Sequence, residues 1–565
     1  MSYRPPLEAI ECVLTHVSQL DGLLGSKQFD SCGADEVRAI LEAVAKFAGS
    51  EIAPLRRIGD LEGARLEQGS VLMPRGYKEA YASFVDGGYG ATAVGTNFGG
   101  LGLPHCVELA ALELIGGADM AFGLCPILTA GAVDALLHHG SEGQRQRYLQ
   151  KLVSGEWTGT MNLTEPQAGS DVGAVRTMAT PGPDGHWSIR GTKIFISFGD
   201  HDLASNIVHL ILARTPEAPA GTRGLSLFVA PKFRVGDDGG LGKANGIKVA
   251  SLEHKLGLHA SPTCALVFGE DDPCLGELVG PLHGGMRAMF TMMNNARLNI
   301  GLQGVQIAER ARQAAIGYAK DRIQSRAVSG ASALPVPIIE HPDVRRMLVR
   351  MTALTHAARA LIYFTALQRD HMSLGARSAN GRLELLTPLA KAYATDVGNE
   401  VASLAIQVHG GAGYVEETGV AQLLRDVRIT SIYEGTNGIQ AADLVSRKIG
   451  LDEGEPFAAL ILQLKREARN TELLSLIRCC ADLGDELVKA PAIARLSASY
   501  PFLTMLSVAV CGWLLERMLS AELTDLHRTS IQYYLERIVP EALGLEASAS
   551  PAAGSIFAIG ASEFA

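Results

Sequence analysis

The spacing of the apolar residues changes twice along this chain, and these two changes constrain its fold more than any other feature. Residues 35–155 carry apolar side chains at helical spacing, as in the run 36–52, which ends before Pro54. From about Thr158 short apolar runs separated by turn residues replace this pattern, and from about Leu282 the helical spacing returns. The short runs predict strands at 186–189, 192–197, 206–213, 225–230 and 264–268.

The order of helices, strands and helices predicts an α+β protein of several domains. A chain of 565 residues is too long for one hydrophobic core. An acidic, glycine-containing segment at 451–456 separates a last helical stretch from the rest. We therefore expect an N-terminal helical domain, a middle antiparallel β domain built as a barrel or sandwich, a C-terminal helical bundle and an additional helical domain, at 1–157, 158–280, 281–450 and 455–565.

Composition excludes several classes of protein. Hydrophobic residues make up 47% and charged residues 19%, as in globular domains. The net charge of −10 argues against nucleic acid as a partner, because phosphate binding needs a basic face. The apolar run 502–515 is too short to span a membrane and predicts a buried helix, so we expect no integral membrane segment.

The cysteines and the N-terminus indicate a cytoplasmic protein. The nine cysteines include no Cys-x-x-Cys pair, which favours reduced thiols. The first residues lack the apolar stretch of a secretory signal. His138 and His139 are adjacent but have no other ligand near them in sequence, so we expect no metal site.

Two polar segments carry the functional information. The first reads Thr-Glu-Pro-Gln-Ala-Gly-Ser-Asp at 164–171, and the second reads Tyr-Glu-Gly-Thr-Asn at 433–437. Together they resemble the two signature segments of the acyl-CoA dehydrogenase family, whose core also has helical, β and helical domains in this order. The additional block at 455–565 and the opening Tyr-Arg-Pro-Pro-Leu at 3–7 resemble the longer branch of the family, which includes 3-methylmercaptopropionyl-CoA dehydrogenases.

Glu434 has the surroundings that a catalytic carboxylate base requires. Desaturating an acyl thioester removes a weakly acidic α proton, so the pKa of the base must be raised by an apolar site and the enolate charge must meet hydrogen-bond donors. Ile432 and Tyr433 precede Glu434, and Gly435 allows close approach of the backbone. The resemblance implies that Glu434 is the base and that its N–H binds the thioester carbonyl. Some relatives place the base at the position of Ala296, which cannot act here.

The resemblance also implies an FAD site. Thr, Ser and Gly residues of the loop 164–171 offer donors to an electron-rich cofactor. Phe195 and Ser197 stand where the family has Trp and Thr, which keeps an aromatic ring and a hydroxyl. Arg322 corresponds to an arginine that reaches the FAD phosphates across a subunit interface, which implies at least a homodimer. The full set of implied FAD contacts is Leu163, Thr164, Ser170, Phe195, Ser197, Arg322, Gln407, Gly410, Gly411, Thr436 and Asn437.

The implied activity is FAD-dependent oxidation of an acyl-CoA to a trans-2-enoyl-CoA. Flavin N5 is expected to accept the β hydride, and an electron-transfer flavoprotein to accept the electrons. The branch resemblance suggests short- to medium-chain acyl groups, including 3-methylthiopropionyl-CoA. Two alternatives stay open: an acyl-CoA oxidase that uses O₂, and a non-catalytic flavoprotein that binds acyl-CoA. The implied substrate contacts are Ser170, Asn294, Arg297, Tyr433 and Gly435.

Overall fold

The computed structural model describes residues 3–90, 92–236, 238–328, 330, 334–552 and 556–564, without the side chains of residues 183, 291 and 294. The chain forms two compact units. The mixed unit is Asp35–Ala296, and the helical unit combines Met1–Ala34 with Arg297–Ala565.

Two helices open the chain, and six more, together with a β hairpin, form the first half of the mixed unit. The first two are α1 (Leu7–His16) and α2 (Leu20–Leu24). The six are α3 (Ala34–Phe47), α4 (Leu55–Glu62), α5 (Tyr77–Asp86), α6 (His105–Ala118), α7 (Met120–His139) and α8 (Glu142–Ser154). The hairpin pairs β1 (Arg65–Glu67) with β2 (Ser70–Leu72). The helix predicted at 36–52 is α3 extended by a π-helical turn, Ala48–Ile52, and it ends before Pro54 as predicted.

The second half of the mixed unit is the β domain. Its strands are β3 (Trp157–Asn162), β4 (Met178–Pro181), β5 (Trp187–Ser197), β6 (Asn206–Arg214), β7 (Leu225–Pro231), β8 (Phe233–Val235), β9 (Leu241–Ala244), β10 (Ile247–Leu252), β11 (Thr263–Phe268) and β12 (Cys274–Val279). The main sheet runs β10-β11-β5-β12-β7-β6-β3, and β4 pairs with β5 and β6. Most pairs are antiparallel, as predicted, but β3 runs parallel to β6. The two runs predicted at 186–189 and 192–197 form the single strand β5.

Strand β6 is buried on both faces, which explains its uninterrupted apolar sequence. Successive side chains of a strand point to opposite faces. Val208, Leu210 and Leu212 belong to a core shared with α7 and α8. Ile211 and Ala213 belong to a second core on the other face. The sheet is therefore fixed from both sides, and its loops are held at defined positions.

Long helices build the helical unit. They are α9 (Gly285–Asp321, which begins in the mixed unit), α10 (Pro342–Ser373), α11 (Ala379–His409), α12 (Ala421–Val427) and α13 (Asn437–Asp443), with a hairpin of β13 (Ile323–Arg326) and β14 (Pro335–Pro337) after α9. The C-terminal block consists of α14 (Glu455–Glu467), α15 (Thr471–Lys489), α16 (Ala492–Ser497), α17 (Ser499–Met518), α18 (Asp525–Tyr533), α19 (Val539–Leu543) and α20 (Glu546–Ala549).

The C-terminal block packs against α10 and α11 through polar as well as apolar contacts. The hydroxyls of Tyr393 and Tyr534 lie 2.8 Å apart. Arg350 bridges Glu400, at 2.5 Å, and Glu541, at 2.8 Å. Within the described residues two helices, α7 and α17, are long and apolar enough to cross a membrane, but 78% of each apolar stretch is buried in the protein. The buried helix predicted at 502–515 is thereby confirmed, and none of the nine cysteines forms a disulfide in the described part of the chain.

Candidate active site

Glu434 lies in a left-handed turn between two helical segments. A 3-10 turn, Arg428–Ser431, leads into it, and Thr436 caps α13 by accepting a hydrogen bond from Ile439 N–H at 3.2 Å. The φ angles of Glu434 and Gly435 are 54° and 85°. A left-handed conformation costs a non-glycine residue about 1–3 kcal/mol and persists only where its surroundings impose it. Strain of this kind is typical of functional sites.

The carboxylate of Glu434 is available for chemistry. Within the described part of the chain, its side chain has no hydrogen-bond or ion-pair partner, and its backbone N–H has no acceptor. Burial raises the pKa of Glu434, while the nearby cations Arg297 and Lys391 act in the opposite direction. A carboxylate with a raised pKa and a free N–H beside it can accept a proton and bind a carbonyl oxygen.

Lys391 stabilises this turn through hydrogen bonds, a role that the sequence did not suggest. Its ammonium is buried in α11 and donates to Gly435 O and to Asn437 Oδ1, both at 2.9 Å. Burial lowers the pKa of Lys391 to about 8, although Asp396 and Glu434 favour its charged form. The available signal was a single lysine in the apolar stretch 389–392.

Three of the residues expected to contact substrate, Arg297, Tyr433 and Gly435, lie at this turn. Arg297, in α9, is half-buried, and its Nε has no partner among the described residues. A side chain added at Gly435 would meet Gln440 Nε2 at 2.7 Å and lies 4.0 Å from Arg297 Nη2. Tyr433 donates from its hydroxyl to Gln303 Oε1, and burial raises its pKa. The side chain of Asn294 lies outside the described residues, and Ser170 belongs to the mixed unit.

Asn437 is engaged within the protein. Its amide nitrogen donates to Asp396 Oδ1 at 2.8 Å, to Thr395 Oγ1 at 2.9 Å and to Ala392 O at 3.2 Å. Its oxygen accepts from Lys391. These contacts use both polar atoms of the side chain, so the expected contact of Asn437 with the flavin would be made by its backbone.

Two further segments predicted to bind FAD meet at the ends of α9 and α11. The ring of Tyr318 stacks on His409, with centroids 4.3 Å apart. This contact holds the segment of Arg322 next to the turn that follows α11. Arg322 is exposed and has no ion-pair partner in the described part of the chain. Gln407, in the last turn of α11, and Gly410 and Gly411, which follow the helix, are all exposed.

In the mixed unit, the loop 164–171 lies beside β5. Ile194 N–H donates to Thr164 O at 3.0 Å, and Lys193 donates to Leu163 O at 2.9 Å. These bonds place Leu163 and Thr164 next to Phe195, which has a φ of 59° and is 58% exposed. Ser197 follows at the end of the strand, and its carbonyl accepts from a hydroxyl of β3.

A buried ion pair organises this loop. The side chains of Glu165 and Lys193 are 3% and 0% exposed, with their charged atoms 2.8 Å apart. The carboxylate also accepts from the N–H groups of Arg176, at 2.7 Å, and Thr177, at 3.0 Å. Burial alone would raise the pKa of Glu165, but Lys193 and these hydrogen bonds outweigh it and lower the pKa to about 2. Glu165 is therefore structural, and Lys193 was missed from sequence.

Comparison with known proteins places the chain in a family. Models of the acyl-CoA dehydrogenase N-terminal, middle and C-terminal domains match residues 34–156, 160–270 and 283–449. The chain is 48% identical over 537 residues to the 3-methylmercaptopropionyl-CoA dehydrogenase of Ruegeria pomeroyi, covering 91% of this chain and 90% of the relative. It is 40% identical over 449 residues to a butyryl-CoA dehydrogenase of Syntrophomonas wolfei, covering 77% and 73%.

A solved structure shares the fold over nearly the whole chain. The acyl-CoA dehydrogenase from Bacillus anthracis complexed with FAD superposes with a TM-score of 0.70 at 20% identity, covering 93% of this chain and 90% of that one. The protein belongs to the acyl-CoA dehydrogenase family. It is an oxidoreductase that binds FAD and dehydrogenates acyl-CoA thioesters.

The residues present fit FAD. A flavin needs an apolar surface for its rings and donors for its polar edge and phosphates. The mixed unit offers the exposed ring of Phe195, the exposed hydroxyl of Ser170 and the open backbone of Gly169, where an added side chain would meet nothing. The helical unit offers the guanidinium of Arg322.

Proposed function

We propose that Glu434 is the base that removes the α proton of the acyl-CoA. The proposal is supported by one observation above all: Glu434 combines a left-handed turn, a burial-raised pKa and a backbone N–H that has no acceptor among the described residues. One residue can therefore supply both the base and a donor to the thioester carbonyl. That donor stabilises the enolate charge as it develops.

Arg297 and Lys391 set the strength of this base. Both cations stabilise the carboxylate form and so limit how far burial raises the pKa of Glu434. A base is most effective when its pKa lies near the working pH, because it is then both deprotonated and able to accept a proton. The flavin, when bound, supplies the acceptor for the hydrogen that leaves the β carbon. Phe195 and the loop 164–171 orient that cofactor.

The substrate is proposed to be a short- to medium-chain acyl-CoA, with 3-methylthiopropionyl-CoA as a strong candidate. This rests on the relative from Ruegeria pomeroyi, which matches 91% of the chain and so at least part of the C-terminal block, and on the butyryl-CoA dehydrogenase from Syntrophomonas wolfei. Both names describe thioesters with short acyl groups.

The electron acceptor and assembly are proposed from the family resemblance and from Arg322. An electron-transfer flavoprotein would reoxidise the reduced enzyme in the cytoplasm. A homodimer is supported by Arg322, whose exposed guanidinium has no counter-ion in the described part of the chain and suits the phosphates of a cofactor bound in a partner subunit.

Anaerobic titration of the purified holoenzyme with acyl-CoA thioesters from C4 to C16, and with 3-methylthiopropionyl-CoA, tests this function. We expect the visible flavin band to bleach with the short and medium thioesters. A yellow protein that none of them bleaches would contradict the proposal and favour a binding protein. Rapid peroxide formation with substrate in air would instead identify an oxidase.

A further inference from the structure

A chain of hydrogen bonds runs from the C-terminal block to the turn that carries Glu434. The hydroxyl of Tyr500, at the start of α17, donates to Asp396 Oδ2 at 2.7 Å. Asn437 donates to the other oxygen of Asp396 at 2.8 Å and accepts from Lys391 at 2.9 Å. Lys391 donates in turn to Gly435 O at 2.9 Å. Every residue of this hydrogen-bond chain lies in the helical unit.

We propose that Tyr500 is a positioning residue for Glu434, acting through this chain of hydrogen bonds. The C-terminal block thereby contributes to the reaction without touching substrate. The inference rests on the proposed role of Glu434 as base, and it adds a residue that lies 66 positions beyond Glu434, in a block that none of the three family domains matches.

The chemistry of each bond supports transmission along the chain. Asp396, in α11, is half-buried, and burial raises its pKa, while the bonds from Tyr500 and Asn437 stabilise its charged form. A charged Asp396 orients the Asn437 amide so that its oxygen faces Lys391. Lys391 then keeps its bond to the carbonyl that follows Glu434. Charge-assisted hydrogen bonds in a low-dielectric site reinforce one another in this way.

Asp396 and Glu434, near the two ends of this series of hydrogen bonds, also face other charged groups. Asp396 faces Lys391 from α11 and Arg428 from the turn after α12, both of which favour its carboxylate form. Glu434 faces Arg297 from α9 in addition to Lys391. Losing the Tyr500 hydroxyl removes a bond that lowers the pKa of Asp396. Asp396 would then take up a proton at a higher pH than in the native enzyme.

Tyr500→Phe tests the proposal, because it removes one oxygen atom from a residue that is 38% exposed and leaves the ring in place. The matched control is Tyr533→Phe in α18, whose hydroxyl has no hydrogen-bond partner among the described residues. We expect Tyr500→Phe to lower kcat by up to about tenfold, as for the loss of one hydrogen bond, with KM for the acyl-CoA changed less than about twofold. The loss should deepen as the pH falls. The control should keep the native kcat.

Asp396→Asn separates this mechanism from a general loss of structure. The asparagine side chain has no charge at any pH, so the loss of kcat in this variant should not deepen as the pH falls. Adding Tyr500→Phe to it should change kcat little further. The proposal is overturned if Tyr500→Phe behaves like Tyr533→Phe at every pH. It is also overturned if the two defects multiply, or if the loss follows a lower Tm and flavin content without pH dependence. If the proposal that Glu434 is the base is wrong, Glu434→Gln should keep the native kcat. This outcome is separate from those of Tyr500→Phe.

Discussion

Lys391 and Gly435 lie 44 residues apart in sequence, and the ammonium of one donates to the carbonyl of the other at 2.9 Å. This bond fixes the peptide that follows Glu434, in a turn where both Glu434 and Gly435 have positive φ. A buried lysine therefore serves the base in two ways. It holds the conformation of the turn, and its charge opposes the effect of burial on the pKa of Glu434.

Replacing Glu434 with Gln should slow turnover by several orders of magnitude and leave the cofactor in place. The amide has nearly the same shape but cannot accept the α proton, and loss of a general base typically costs about 10²- to 10⁴-fold in rate. We expect the variant to be purified yellow, with a native ratio of flavin to protein absorbance. Stopped-flow reduction by acyl-CoA measures the loss. Reduction at the native rate would exclude Glu434 as the base.

Lys391→Met should move the acid limb of the kcat/KM profile to higher pH. The base works only when deprotonated, so activity is lost as the pH falls through the pKa of Glu434. Removing a cation that lowers this pKa raises it further, and the variant should lose activity at pH values where the native enzyme is still active. The free energy of unfolding should also fall by about 1–3 kcal/mol, because buried acceptors lose their hydrogen-bond donor.

The control for this variant is Lys489→Met, an exposed lysine at the end of α15. It removes the same charge from the chain but should leave the pH profile and Tm unchanged. A profile of Lys391→Met that coincides with the native one would show that Lys391 does not act on the base.

The sequence revealed the parts of the site that depend on local pattern. The Tyr-Glu-Gly-Thr run predicted a glycine-flanked turn at Glu434, and the change in apolar spacing predicted the β domain. Lys391 and Asp396 were not predicted, because their roles come from partners on other helices. The parallel pairing of β3 with β6 was missed for the same reason, since two other strands intervene between them in sequence. Local runs of residues do not specify such contacts.

Phe195 should be needed for flavin retention although its backbone is strained. Its φ of 59° costs about 1–2 kcal/mol for any residue with a side chain, and glycine avoids this cost. We expect Phe195→Gly and Phe195→Ala both to lose flavin during gel filtration, because the exposed ring is gone. The flavin-free Gly variant should have the higher Tm of the two. Native flavin content in either variant would contradict a role for the ring.

Lys193→Met should destabilise the mixed unit more than any exposed lysine substitution, because it leaves the buried Glu165 carboxylate without its cation. Breaking a buried pair in this way costs about 3–5 kcal/mol. The double variant Lys193→Met/Glu165→Gln should recover part of the loss. Lys248→Met serves as the control, since its ion pairs with Glu270 and Asp271 are exposed and contribute little.

The pH dependence of the stability lost in Lys193→Met distinguishes an ion pair from simple packing. In the native protein the pKa of Glu165 is lowered to about 2, so the pair stabilises the fold above the ordinary pKa of a glutamate and this stability disappears as the pH falls toward 2. Without the charge of Lys193 the pKa of Glu165 rises, because burial is then opposed by the hydrogen bonds from Thr177 and Arg176 alone, and protonation relieves the variant. The difference in Tm between native protein and Lys193→Met, measured by calorimetry below the pKa of about 8 of Lys193, should therefore shrink from pH 7 to pH 5. A difference that stays constant over this range would mean that Lys193 acts only by filling space.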